Sequence, residues 1–410
     1  MSAPQATSGA RGDCAPGFAG VREEFERNFE ERGEIGASVA VFLDGEPVVD
    51  LWGGVADPDT GRPWEADTLS VLQSVTKGAV SLCANVLVAR GELDLDAPVA
   101  TYWPEFAQAG KETIPVRWVL SHLDGVPVIR RPQKADALLH WDEVVADLAA
   151  EEPLWEPGTR SGYHGFAYGY LVGEIVRRVT GRSIGRFFRE EVAEPLGLDF
   201  WIGLPLEHHA RVAPAIAGPP DLDHPVHQLM MEPGSLQNML VLNGGAYFGA
   251  GLADSPEAYS AEMASTGGIG NARSIAGMYA PLALGGAFRG VRLMGPGDVA
   301  RLAFPQAAGV DAMLLVPMTY TLGFWRSMDN RRSRVTGTDS MVLSTEAFGH
   351  PGFGGRLGFA DPGARISFGY TNNKMSSRTT VGNRGQALVD AVYRALGYEG
   401  GETGHWVRPA

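Results

Sequence analysis

LQSVTKGAV, residues 72–80, places a serine and one of the chain's four lysines three positions apart at the head of an apolar run. That run extends from Val75 to Arg90 and stops at Gly91, which predicts a helix with Ser74 at its first turn. Residues i and i+3 share a helix face, so Lys77 is expected beside Ser74. A helix N-terminus also offers free backbone N–H groups and a field that favours a developing anion. A lysine drawn out of water there loses basicity and can serve as a base toward the serine. Alone, the pair also reads as a capping serine with a solvated lysine, and the surrounding sequence has to decide.

A second serine competes for attention. Gly181-Arg182-Ser183-Ile184-Gly185 matches the G-x-S-x-G nucleophile signature, which works only between a strand and a helix. Here a helical segment, Gly173 to Thr180, precedes it. Gly181 reads as the glycine just past a helix end and Ser183 as the N-cap of the next helix.

The flanks of the chain set the architecture. Phe18 to Glu34 carries Val21, Phe25 and Phe29 four apart, a helix with one stripe to bury. Two apolar runs follow, joined by Asp44-Gly45, a two-residue hairpin signal. At the far end Leu322–Arg326, Arg356–Ala360 and Ala364–Thr371 read as strands, and Gly385–Leu396 as a closing helix. Strands at both ends without βα alternation predict an α+β fold, with one antiparallel sheet assembled from both termini and flanked by helices. The expected organisation is a disordered leader over 1–17, a sheet region over 18–100 and 266–400, and a mainly helical insertion over 101–265. Residues 205–265 read as long loops with a little helix. The cleft between sheet and insertion is the expected small-molecule site.

Composition narrows the function. Forty-eight acidic residues against 34 basic ones give a net charge of −14, which argues against nucleic acid or an anionic membrane as partner. The densest basic cluster, Arg331-Arg332-Ser333-Arg334, reads as a solvated loop. Cys14 and Cys83 are too few for a disulfide framework. The first residues lack the apolar core of a signal peptide, and no window approaches roughly 18 uninterrupted apolar residues. A cytoplasmic protein is the expectation. His208-His209 and His224 with His227 match no zinc spacing, so neither metal nor cofactor is expected. Met230, Met231 and Met239 are candidates for lining an apolar pocket, with ordinary packing as the alternative.

Around Ser74 the landmarks accumulate. Gly91-Glu92-Leu93-Asp94-Leu95-Asp96-Ala97-Pro98-Val99 follows the helix, then Tyr102 and Pro104, Leu120-Ser121-His122-Leu123-Asp124-Gly125, Glu156-Pro157-Gly158 with Tyr163, and Glu194-Pro195-Leu196-Gly197-Leu198. With the segment 344–372, this pattern resembles the serine β-lactamase and penicillin-binding-protein superfamily, in its class C branch, and within it the family VIII carboxylesterases. The resemblance implies a β-lactamase/transpeptidase-like fold. It implies Ser74 as nucleophile, with Lys77 and Tyr163 moving its proton, and the backbone N–H groups of Ser74 and Phe353 as an oxyanion hole. His350 and Gly352, standing where those enzymes carry Lys-Thr-Gly, and His164 are the implied substrate contacts. Gly165 replaces a usual asparagine. Loss of that lysine and threonine removes the partners of a β-lactam carboxylate and favours a neutral ester or amide. The implied activity is ester hydrolysis through an acyl-Ser74 intermediate. Acyl transfer to an alcohol or amine, weak β-lactamase or D-amino-peptide hydrolysis, and a non-catalytic binding protein stay as alternatives. The oligomeric state is open.

Overall fold

The computed structural model describes residues 9–218, 221–248, 252–332, 340–376, 380–400 and 404–409. Strand β1, Arg11–Cys14, precedes helix α1, Ala19–Glu31, and the hairpin of β2, Gly36–Leu43, and β3, Glu46–Asp57. The hairpin turn is made by Asp44 and Gly45, both at positive φ (51° and 87°), which matches the twist of the flanking strands. The C-terminal half adds β4, Ala307–Val310, β5, Pro317–Tyr320, β6, Trp325–Arg326, β7, Phe348–Gly352, β8, Arg356–Asp361, and β9, Ile366–Asn372. Among the described residues these strands, with Arg62–Pro63 beside β3, form one antiparallel sheet in the order β1-β3-β2-β9-β8-β7-β6-β5-β4. The two ends of the chain meet at β2 and β9, paired from Leu43↔Ile366 to Ala37↔Asn372.

Two expectations need correction. The leader is irregular only up to Ala10 among its described residues: Arg11–Cys14 is an edge strand on β3, with Arg11 opposite Trp52 and Cys14 opposite Val49. An unpaired edge of β3 is a better partner for extended chain than water is, which outweighs the Gly/Ala/Pro-rich composition. Residues 1–8 lie outside the described residues. The strand expected from Leu322 starts only at Trp325, because the tight turn at Thr321–Phe324 takes up the preceding residues. Of the arginine cluster, Arg331 is paired with Asp329, whereas Ser333 and Arg334 lie outside the described residues.

Helix α2, Val75–Ala89, is buried on every side through Leu87, as its unbroken apolar run requires. It lies between the sheet and the helical region, packing on α3, Ala167–Thr180, and on β7. The helix α3 ends at Gly181 (φ 70°) and α4, Ile184–Phe188, begins at its cap Ser183. The Ser183 hydroxyl accepts the Arg186 N–H and donates to Glu262 Oε1 at 2.7 Å. Ser183 is therefore a helix connector. In the stretch 205–265, helices α5, Pro225–Met230, and α6, Leu236–Gly244, are short elements between irregular segments. No helix among the described residues is long and apolar enough to cross a membrane.

The face of the sheet that α2 covers also carries α7, Ala272–Ala283, and its close approach is made possible by glycine. A Cβ at Gly369 would lie 2.2 Å from Ala272 O, and one at Gly358 would lie 2.5 Å from Ile275 Cγ2 and Tyr279 Cε2. On the opposite side α8, Gly382–Ala395, packs with α1. Here Arg384 Nη1 meets Glu34 Oε1 at 2.6 Å, and the Tyr370 hydroxyl donates to Glu34 Oε2.

Gly369→Ala is expected to cost about 1–3 kcal/mol through overpacking against backbone, read as a lower urea midpoint at unchanged slope. Ser183→Ala is expected to lose about 1 kcal/mol of cap energy while retaining any catalytic activity, and a folded but inactive Ser183→Ala protein would overturn its assignment as a connector.

Candidate active site

The stretch that opened the sequence reading sits where a small second sheet meets α2. Leu69–Val71 is a strand of that sheet, paired with Gly268–Gly270. Gln73 follows at φ 54°, a costly conformation for a residue with a Cβ, and Ser74 then caps α2. Ser74, not Ser183, therefore has the strand–sharp turn–helix context. The strain at Gln73 is held by tertiary contacts: its Oε1 accepts from the Tyr247 hydroxyl at 2.5 Å, and its carbonyl accepts from Thr76 Oγ1 at 2.6 Å.

Lys77 is fully buried one turn into α2. Its Nζ lies 3.0 Å from Ser74 Oγ, 2.8 Å from Gly165 O and 3.0 Å from Ser265 O. None of these partners carries a charge. Burial accordingly pulls the amine well below the ordinary lysine value. A neutral amine has two N–H groups and one lone pair. The two carbonyls consume the donors, and the lone pair is left facing the Ser74 hydroxyl. Gly165, which takes the place of a side-chain donor, thus contributes its carbonyl to Lys77.

Tyr163 stands on the other side of Ser74, its ring centroid 5.0 Å from Lys77 Nζ. Its backbone N–H donates to Asp311 Oδ1 at 3.1 Å, and its ring meets Trp325 edge-on at 5.3 Å. Burial pushes the phenol up, and a hydrogen bond with Ser74 opposes that shift. Burial therefore drives Lys77 and Tyr163 toward an amine and a phenol rather than an ammonium and a phenolate. The same burial thus disfavours charge on both groups that flank Ser74.

The turn after β7 completes the wall. A Cβ at Gly352 would fall 2.5 Å from Leu72 O, so only glycine lets this strand end press against the segment leading into Ser74. Phe353 follows and lines the same cleft as Ser74 and Tyr163.

Two expected substrate contacts do not reach that cleft. His164 is fully buried, with Nε2 2.7 Å from Asp124 Oδ1 and its ring stacked 4.8 Å from His122. In an extended segment successive side chains point opposite ways, so Tyr163 facing the cleft sends His164 into the core. His350 is likewise buried: its Nδ1–H donates to Pro351 O at 2.7 Å, and its ring lies 5.0 Å from that of Trp325 and 6.1 Å from that of Tyr163. Burial pushes His350 down to about 3, so it is a neutral ring behind the site. Gly352 acts through the closeness of its backbone.

The cleft holds roughly 880 Å³, open mouth included. Phe166, Met230, Leu240, Met313, Leu314 and Trp325 give it apolar walls, and no lysine or arginine among the described residues lines it. Of the three candidate methionines, Met230 lines it, Met231 is 78% exposed, and Met239 packs against the sheet core. The remaining wall residues come from segments whose sequence carries no periodic signal, so nothing short of the fold identifies them. Gln73 and His227 belong to the same group.

Comparison with known proteins places this geometry. The profile of the Beta-lactamase family matches residues 23–392. The chain is 34% identical over 397 residues to the esterase/beta-lactamase LipL of Mycobacterium tuberculosis, covering 91% of this chain and 85% of that protein. A family VIII carboxylesterase of known crystal structure is 36% identical, with a TM-score of 0.81 over 94% of this chain and all of its own. A penicillin-binding protein homolog from Caulobacter crescentus is 38% identical, with a TM-score of 0.82 over the same shares.

The lowered basicity of Lys77 carries a pH dependence. The rate at which a neutral aryl phosphonate modifies the protein is expected to rise with pH as Lys77 loses its proton, along a limb centred below the ordinary lysine value. Lys77→Met should abolish that limb, and stopped-flow release of the aryl group across pH 5–10 measures it.

Proposed function

The chain belongs to the Beta-lactamase family, and from that membership and the geometry of the cleft we propose that it is a serine carboxylesterase acting through an acyl-Ser74 intermediate. The observation that carries this reading is the contact of a fully buried Lys77, its amine drawn well below the ordinary lysine value by that burial, with Ser74 Oγ at 3.0 Å.

Ser74 Oγ attacks the ester carbonyl while its proton passes to the Lys77 amine. The carbonyl oxygen becomes an anion held by the N–H groups of Ser74 and Phe353, the term that lowers such barriers most. Collapse of the tetrahedral intermediate expels the alcohol, which takes a proton from Lys77 by way of the Tyr163 hydroxyl. Water then enters, gives a proton to the same pair as it attacks the acyl carbonyl, and the acid is released as that proton returns to Ser74 Oγ. Lys77 ends each cycle as the neutral amine it began as.

The walls support the choice of substrate. A cleft of apolar side chains without a lysine or arginine suits a neutral ester with a small or medium acyl chain. A β-lactam brings a carboxylate that finds no cation there, so esters should be turned over in preference to cephalosporins. The acyl-enzyme can also pass its acyl group to an alcohol, and the ratio of ester to acid formed in added alcohol measures that partition.

Ser74→Ala is expected to lose at least about 10⁴-fold of p-nitrophenyl butyrate hydrolysis with an unchanged melting temperature. Intact-mass spectrometry should show a phosphonate adduct on Ser74 in the native protein and none in the variant. Full activity of a folded Ser74→Ala protein, or faster turnover of nitrocefin than of the ester, would sink the proposal.

A further inference from the structure

Arg356, the first residue of β8, is a fully buried cation. Among the described residues its guanidinium forms no ion pair with a carboxylate, and Asp254 acts on it only at longer range. Nη1 donates to Phe353 O at 3.0 Å, Nη2 donates to Asn372 O at 2.9 Å, and Nε has no partner. Burial pulls the guanidinium down to about 10. Removing a cation from water for two neutral carbonyls costs more than those two hydrogen bonds return, so the fold gains nothing in stability that an apolar side chain would not supply more cheaply.

What the two bonds do is mechanical. Phe353 sits in the sequence Gly352-Phe353-Gly354-Gly355, closed by a hydrogen bond from Gly355 N–H to Gly352 O at 3.0 Å. Gly354 and Gly355 are both in the left-handed region, at φ 89° and 108°. A peptide flanked by three glycines rotates easily, which is the wrong property for a donor that must be aimed in advance. Arg356 limits that freedom from the far side of Phe353, joining its carbonyl, which belongs to the peptide after the one that carries the N–H, to the end of the neighbouring strand, β9, at Asn372. The guanidinium is seated directly on the turn: a Cβ at Gly354 would lie 2.3 Å from Nη1.

We propose that Arg356 is a positioning residue for the oxyanion hole, clamping the glycine-flanked turn so that the Phe353 N–H stays directed at the substrate oxygen as it becomes an anion. This rests on the acyl-Ser74 reading. The interaction exists before substrate arrives and strengthens transition-state binding without touching the substrate, so it acts on kcat and leaves KM nearly alone.

Arg356→Met keeps the volume and removes both donors, and Arg356→Lys keeps the charge and reaches one carbonyl at most. With p-nitrophenyl butyrate, Arg356→Met is expected to lose about 10- to 100-fold in kcat with KM within about twofold, and Arg356→Lys to recover part of that loss. Affinity for an alkyl trifluoromethyl ketone, which adds to Ser74 and places an anion in the hole, should fall in parallel. A phosphonate should still add mass at Ser74 in both variants, only more slowly. If the native protein takes no adduct on Ser74, the acyl-enzyme reading fails. If it does, and folded Arg356→Met keeps native kcat and ketone affinity or changes only KM, the clamp is overturned while the esterase reading stands. Failure of both variants to fold assigns Arg356 to stability alone and overturns the proposal too.

Discussion

The site is organised by the burial of one amine. Lys77 has no exposed surface and only uncharged hydrogen-bonding partners. With no carboxylate to hold a charge there, desolvation sets its protonation state. That single constraint gives the other residues their roles. Gly165 and Ser265 supply the carbonyls that occupy its two N–H groups, and Ser74 receives the lone pair. Tyr163, buried beside it, is held as a phenol that can relay a proton without introducing a competing charge. His350, pressed behind Tyr163 and Trp325, is neutral for the same reason.

Enclosing that amine and Ser74 brings elements from distant parts of the chain closer than ordinary side chains permit. Glycine achieves this twice. Gly358 and Gly369 bring α7 onto the sheet, and Gly352 brings β7 onto the segment leading into Ser74. Gln73 takes a left-handed conformation between the small sheet and α2, and the Tyr247 hydroxyl helps to hold it there. Each is a local compromise maintained by packing around it, which is where backbone strain concentrates in functional sites.

Much of this was legible in the chain because it rests on short-range rules. The Asp44-Gly45 hairpin, the helix end at Gly181 and the cap at Ser183 follow from turn and cap chemistry within a few residues. The pairing of Ser74 with Lys77 follows from one helical turn. Other features escape the sequence for an equally physical reason. The three-residue strand Leu69–Val71 is too short for an alternation pattern, so the strand–turn–helix setting of Ser74 was invisible while the G-x-S-x-G at Ser183 was conspicuous. His164 looked like a site residue by its place beside Tyr163, although strand alternation turns it to Asp124. The leader's composition concealed an edge strand, because a free sheet edge is not a property of the leader itself.

The sequence by itself determined the sheet built from both termini, the apolar helix α2 and the neighbourhood of a serine and a lysine on its first turn. These follow from periodicity, turn residues and intrahelical spacing, all of which act over a few positions. Only the tertiary structure decided which groups are charged, which histidines face the core, which apolar side chains wall the cleft and what holds the turn at Phe353. Those depend on desolvation and on contacts between Ser74, Tyr163, Ser265, Met313 and Arg356. Residues tens to hundreds of positions apart exert no mutual field until the fold has excluded the water between them.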